Sequence, residues 1–201
     1  MPSLQLANEL RARFGDLISE PKESRNEVTI QVGDPERIAD VMAVAKKDFG
    51  FDFLKDISSV DNLGSDPRWT VVYHLYGLQH GCELRVKTDV SESKSELPSV
   101  TSIWAGANWH EREVYDMMGI RFRGHPDLRR ILMWEGYPYH PLRKDFPLEG
   151  KPTDLPEVAF TRVAPLEGGP FVTSPGKKHA GYREPRSRAE SSDSAPDLNQ
   201  K

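Results

Sequence analysis

Three histidines, His110, His125 and His140, stand fifteen residues apart, with Glu111, Glu113, Asp116 and Asp127 nearby in the chain. Imidazoles among carboxylates could build a metal site or an acid–base pair. The spacing argues against both, because no pair shows a ligand spacing such as H-x-x-x-H, and His125 and His140 each precede a proline. These rings are expected to make local hydrogen bonds. The chain holds no G-x-G-x-x-G, no P-loop and no G-x-S-x-G, so neither a nucleotide site nor an activated nucleophile is indicated. Cys82 is the single cysteine. One thiol excludes an internal disulfide framework, a cysteine-based zinc site and a self-contained iron–sulfur cluster, which takes about four thiolates.

Binding chemistry is more prominent than reaction chemistry. Arg121, Arg123, Arg129, Arg130, Arg143 and Lys144 are interleaved with Phe122, Trp134, Tyr137, Tyr139 and Phe146. Cations and rings in this mixture suit a single-stranded nucleic acid. A protein interface rich in Arg, Trp and Tyr has the same composition. The net charge of −4 favours the protein partner. Just upstream, Glu111, Arg112, Glu113 and Asp116 lie at helical spacing. Arg112 and Asp116 could pair at i,i+4 on a surface face, or the acids could pair with the arginines that follow and pin an extended arm to its own domain.

These residues need elements to hold them. Ser102–Met118 has a helical stripe in Ile103, Ala107, Val114 and Met118, with Gly119 where a left-handed cap belongs and Gly106 as a weak point. Beyond Gly119 the periodicity stops, and Gly124, Pro126, Gly136, Pro138, Pro141 and Pro147 exclude a long helix or a central strand. Before it, Leu4, Leu6, Leu10, Phe14 and Leu17 suggest an opening helix. Val28, Ile30 and Val32 alternate as a strand, and Asp34-Pro35-Glu36 starts a helix that Gly50 stops. Phe51–Val60, Trp69–Tyr76 and Cys82–Thr88 read as strands, the last two joined by a hairpin around Gly77–Gly81. Ser91–Glu96 reads as a polar loop. The order α-β-α-β-β-β predicts an α+β fold, a mostly antiparallel sheet with helices on one face, followed by an extended irregular C-terminal arm.

The chain has 201 residues, 29% of them charged, and a mean hydropathy of −0.62. No run approaches the roughly 18 apolar residues of a membrane span, and Met1–Asp16 lacks a signal-peptide core. A chain made and kept on the cytoplasmic side is expected. Seven of the 16 prolines lie in the last 51 residues. The division expected is an α+β domain at 1–120, a partner-docking arm at 121–176, and a polar tail at 177–201 whose composition predicts disorder.

The run Trp109–Leu148, WHEREVYDMMGIRFRGHPDLRRILMWEGYPYHPLRKDFPL, resembles the signature of the C subunit, the 30-kDa subunit family, of the proton-pumping NADH:quinone oxidoreductase, respiratory complex I. The segments that carry it are Glu111-Arg112-Glu113-Val114-Tyr115-Asp116-Met117, Gly119-Ile120, Gly124-His125-Pro126-Asp127-Leu128-Arg129-Arg130-Ile131-Leu132, and Pro141-Leu142-Arg143-Lys144-Asp145-Phe146-Pro147-Leu148. The first 108 residues agree with that family in the order and size of their elements. The resemblance implies a scaffolding subunit with no catalytic residues. FMN, iron–sulfur clusters and quinone would be bound by other subunits. It implies docking to the D subunit most directly, with the B and I subunits as neighbours, and a peripheral place on the cytoplasmic side of a bacterial inner membrane. The signature residues would then serve the subunit interface, with no nucleic acid involved. The equivalent subunit of a related membrane-bound hydrogenase or other quinone-reducing complex is the alternative.

Overall fold

A computed structural model describes residues 2–148 and, beyond them, two two-residue strands. The first helix, α1 (Pro2–Phe14), buries Ser3, Ala7 and Leu10, one face at i, i+4 and i+7 spacing. Strand β1 (Lys22–Ser24) turns into β2 (Glu27–Val32) through Arg25 and Asn26, both at positive φ, the conformation of a two-residue hairpin turn. The Asp34 side chain then accepts the Glu36 amide at 3.0 Å and Pro35 opens the helical segment, as expected. That first turn is a 3-10 turn, and α2 (Ile38–Phe49) follows it, ending at Gly50 with φ +69°.

Strands β3 (Phe53–Asp61), β4 (Trp69–Gly77) and β5 (Cys82–Val90) form an antiparallel meander. In β5, Cys82, Leu84, Val86, Thr88 and Val90 are buried while the residues between them are half-exposed, so one face of the sheet is dry. Helix α1 packs against β2 and β5 and against α2, and α3 (Ala107–Met118) packs against β3. The sheet order is β1-β2-β5-β4-β3, α+β and mostly antiparallel as predicted. Its one parallel pair is β2 with β5, Val32 opposite Thr88. Helix α2 carries the chain from β2 over to the far edge, so the meander returns to β2 running the same way. Trp69, Tyr73, Phe51, Ile30 and Leu84 lie in the core.

Two expectations need correction around α3. The polar loop is found over 91–95, but an unexpected strand follows it, β6 (Glu96–Pro98), which pairs in parallel with β7 (Arg121–Arg123), so α3 is the crossover between them. The helix predicted over Ser102–Met118 begins at Ala107. The Val100 carbonyl accepts the amides of Ile103 and Trp104, both at 3.0 Å, which closes tight turns in place of a helical ladder. Those turns are tied down from outside, by Lys46 Nζ on the Ile103 carbonyl (2.5 Å) and by Trp104 Nε1 on the Asp52 carbonyl (3.0 Å).

The contacts divide the chain into two units, the first being Met1–Glu135 with His140–Asp145. The second begins with Gly136–Tyr139 and resumes at Phe146. In it, Tyr137 meets Tyr139 edge-on at 5.6 Å between ring centres, and Tyr139 meets Phe146 at 5.9 Å. Its strands β8 (Val158–Ala159) and β9 (Arg162–Val163) pair antiparallel. The docking expected of the rest of 149–176 and the disorder expected of 177–201 lie outside the described residues.

Candidate functional site

The end of α3 presents a general problem. The last carbonyls of a helix have no partner within it, and the aligned peptide dipoles make that end negative. Here Arg130, His140, Leu142 and Arg143 supply what is missing. Arg130 Nη1 donates to the Asp116 carbonyl at 3.2 Å, and His140 Nδ1 donates to the same carbonyl at 2.9 Å. The Leu142 amide reaches the Met117 carbonyl at 3.1 Å, and Arg143 Nε reaches the Met118 carbonyl at 2.6 Å. Gly119 closes the helix at φ +78°. A Cβ there would fall 2.7 Å from His140 Cδ2 and closer still to Arg143 Nη2, so only glycine admits both the turn and the crossing chain.

Asp116 is the centre of this arrangement and has no solvent exposure. Its Oδ1 takes Arg130 Nη1 at 2.5 Å. Its Oδ2 takes the consecutive amides of Ile131 (3.0 Å), Leu132 (2.7 Å) and Met133 (2.8 Å). Burial pushes this carboxyl up, but the Met133 amide, Arg130 and the other two amides outweigh it and hold the group below the usual carboxylate range. Arg112, also buried, donates from Nε and Nη2 to the carbonyls of Arg129 and Arg130, each at 3.1 Å, and lies 5.2 Å from the Trp109 ring centre. The i,i+4 pair expected between Arg112 and Asp116 is therefore absent. The overlying chain offers carbonyls to the guanidinium fork and amides to the carboxylate, and each side chain is used separately. The acid-to-arginine alternative holds for Asp116 with Arg130, but not for Glu111, which is buried beneath the helix, nor for Glu113, which is exposed.

A second clamp holds the same crossing chain. Arg68 and Asp61 are both buried and meet fork to fork, Nε to Oδ1 and Nη2 to Oδ2 at 2.9 Å each. Arg68 Nη2 also reaches Asp145 (3.0 Å) and Nη1 reaches Glu92 (2.5 Å), while the Lys144 amide donates to Asp61 Oδ2 at 2.8 Å. Arg68 and Arg143 lie 4.4 and 5.1 Å from the centre of the Trp69 ring. Arg68, chiefly, holds the Asp61 carboxyl below its usual range. Asp61, Arg68 and Trp69 were missed from sequence. The one local signal is an arginine opening the apolar run RWTVVYHLY, where a buried cation demands a carboxylate from elsewhere.

The three histidines do not converge, and among the described residues no group of three His, Cys, Asp or Glu could hold a metal. His125 accepts the Asp127 amide on Nδ1 at 3.0 Å and reaches the Asn108 carbonyl from Nε2 at 3.2 Å. His110 lies 3.3 Å from Asp56. His140 stands edge-on to Tyr115 at 6.2 Å. Burial, with the Arg143 and Arg130 charges, keeps His140 below the usual imidazole value, although its bond to the Asp116 carbonyl opposes this. Gly124 is at φ +84° with open space around it, and Pro126 is exposed beside it. Asp127 pairs with Arg129, whose side chain is 71% exposed. Pro141 is half-buried in the turn before Leu142, and Lys144 and Asp145 are exposed. Trp109, Leu132 and Leu142 are 60%, 54% and 59% exposed on the outer side of this construction.

A family model described as the 30-kDa subunit of the respiratory-chain NADH dehydrogenase matches residues 31–152. The chain belongs to this family. The match takes in α2, the β3–β5 meander, α3 and the crossing chain together. The chain is 45% identical over 144 residues to the C subunit of the NADH-quinone oxidoreductase of Geotalea uraniireducens, covering 70% of this chain and 85% of that one. It is 47% identical over 151 residues to the C 2 subunit of the NADH-quinone oxidoreductase of Rhizobium etli, covering 74% and 79%. A solved trypsin-resistant fragment of Nqo5 is 36% identical, with a TM-score of 0.55 over 64% of this chain and 100% of the fragment. A chain of the membrane-bound sulfane sulfur reductase, an archaeal respiratory membrane complex, shares the fold at 23% identity, with a TM-score of 0.63 over 72% and 85%. Membership of the 30-kDa family makes the chain a subunit of a multi-chain oxidoreductase complex. Among the described residues no helix is long and apolar enough to cross a membrane.

Proposed function

We propose that the chain is a scaffolding subunit of an NADH:quinone oxidoreductase that carries no redox group itself and shapes a surface for the quinone-reducing module. The partner bound most directly is the one corresponding to the D subunit, with the B and I subunits as neighbours. The place is peripheral, on the cytoplasmic side of a bacterial inner membrane. The observation that carries this is how the family signature is used. Asp116, Arg112, Arg130, His140 and Arg143 hold backbone groups of their own chain. What they leave outward is Trp109, Leu132, Leu142 and Arg129. Trp and Arg are enriched at interface hot spots, and Trp109 and Arg129 stand exposed here together with the apolar Leu132 and Leu142. Because the chain that carries them is already ordered, little conformational freedom is lost on binding. The names of the relatives supply the partner complex.

The test uses membranes carrying the tagged chain with Trp109→Ala, Leu132→Asp or Arg129→Ala. Complex abundance and NADH:quinone activity should fall together, with the thermal midpoint of the purified chain unchanged. Normal assembly with lost turnover would place these residues in the reaction and refute the scaffold. The purified chain should show no flavin or iron–sulfur absorbance and no NADH oxidation. An equivalent subunit of a related membrane-bound complex is the alternative, in keeping with the fold shared with the sulfane sulfur reductase chain. A neighbouring gene for a flavin-binding NADH dehydrogenase subunit would decide for the first.

A further inference from the structure

Helix α3 buries two carboxylates completely, and the fold provides for them in opposite ways. Asp116 has a guanidinium and three amides. Glu111 has two neutral donors, the Val100 amide on Oε1 and the Ser99 hydroxyl on Oε2, each at 2.7 Å. Among the described residues no cation forms an ion pair with it. A buried carboxylate with so little compensation is costly in its charged form, and the usual outcome is that it takes up a proton.

The surroundings are equally uncharged. The turn at 99–101 contributes only Ser, Val and Thr. Of the titratable groups on the elements around α3, Lys55, Asp56 and Asp61 of β3 are occupied with Glu83, His110 and Arg68, and Glu96 of β6 with Arg123 of β7. Arg121 of β7 is exposed, and Lys46 of α2 donates to the Ile103 carbonyl. Arg112 is directed at the carbonyls of Arg129 and Arg130. The Tyr73 hydroxyl of β4 has no partner among the described residues, and burial first, then the charge of Glu111, disfavours its ionisation. No neighbouring charge therefore favours the carboxylate.

We infer that Glu111 is a proton-binding site whose charge state is read by the turn leading into α3. The ionised form accepts both Val100 N–H and Ser99 O–H, and so holds the turn from both sides. The protonated form keeps one acceptor and gains a donor. Ser99 must then accept that proton, or swing its own hydroxyl to Thr101 Oγ1, 2.8 Å away. Because the Val100 carbonyl anchors Ile103 and Trp104, and the Trp104 carbonyl accepts the Ala107 amide, the change is passed through these turns to the start of the helix carrying Trp109. Burial, against the bonds from Ser99 and Val100, raises this carboxyl from 4.5 to about 7, where such a change falls near neutral pH. The inference does not depend on which partner occupies the outer face.

The experiment follows the side-chain carboxyl of Glu111 and the Val100 amide by NMR in the full chain between pH 5 and 9. The Glu111→Gln variant assigns the resonance. Both signals should titrate with one midpoint near neutrality, and the Val100 response should vanish in Glu111→Gln. The folding constant of the wild type relative to that variant should fall by up to about tenfold per pH unit from about pH 5 to 7 and then level off. Ser99→Ala, which removes a donor to the ionised form, should move the midpoint to higher pH even if Glu111→Gln does not fold. A carboxyl midpoint below pH 5, or a Val100 amide that does not follow it, overturns the inference.

Discussion

Replacing Asp116 by alanine tests whether the crossing chain is held by one carboxylate. The change removes the carboxylate on which Arg130 Nη1 and the amides of Ile131, Leu132 and Met133 all converge. Removing one member of a buried ion pair costs about 3–5 kcal/mol. Two features reduce this. Arg130 keeps its bond to the Asp116 main-chain carbonyl, and Leu132 is exposed enough for water to replace part of the lost bonding at the amides. A net cost of about 3 kcal/mol follows, roughly a 150-fold shift in the opening equilibrium of residues 130–133. A small domain has about 5–15 kcal/mol in all, so the body should remain folded while this segment opens. Hydrogen exchange of the three amides measures this, and protection should drop by about 100-fold while β4 and β5 stay protected. Asp116→Asn keeps an acceptor and should fall between the two. The wild type offers the same test by titration. A carboxyl held below its usual value stabilises the fold above its unfolded value, and that contribution is lost as pH falls through the folded one. The amides at 131–133 should therefore lose protection in acid, below about pH 4. Unchanged protection in Asp116→Ala would show that other contacts hold the segment.

Gly119→Ala places a side chain at φ +78° and against His140 and Arg143, so it should destabilise by about 1–3 kcal/mol and release residues 140–143 to early proteolysis. An unchanged thermal midpoint would count against this. Arg68→Ala leaves buried Asp61 without its fork and should cost about 3–5 kcal/mol, with Arg68→Lys recovering only part. Because Arg68 is the main cause of the depressed Asp61 carboxyl, the part of the acid-induced loss of stability that comes from Asp61 should shrink in Arg68→Ala. An identical acid profile would refute it.

Much of the fold follows from short-range order in the chain. The alternation of Cys82, Leu84 and Val86 makes one face of β5 apolar wherever that strand lies. The Asp34-Pro35 start and the stops at Gly50 and Gly119 are backbone effects spanning a few residues, and all three hold in the structure. The Pro- and Gly-punctuated run after Gly119 is irregular, apart from the three residues of β7, for the same local reason. The density of the run Trp109–Leu148 identified the family before any contact was known.

Tertiary structure decided everything that depends on which distant groups meet. Strand β2 pairs in parallel with β5 because α2 sets the direction of return, and no residue of either strand records this. The helix expected from Ser102 starts five residues later because Lys46 and Asp52, some 50 residues earlier in the sequence, hold the turns before it. Glu111 and Asp116 both read from the sequence as acids of a solvated helix. Both are buried, and they differ because three amides and an arginine from the crossing chain reach one, while only an amide and a hydroxyl reach the other. Periodicity measures the preferences of neighbours in sequence. The state of a buried charge is set by the donors the rest of the fold brings to it, and that is settled only when the chain has closed around it.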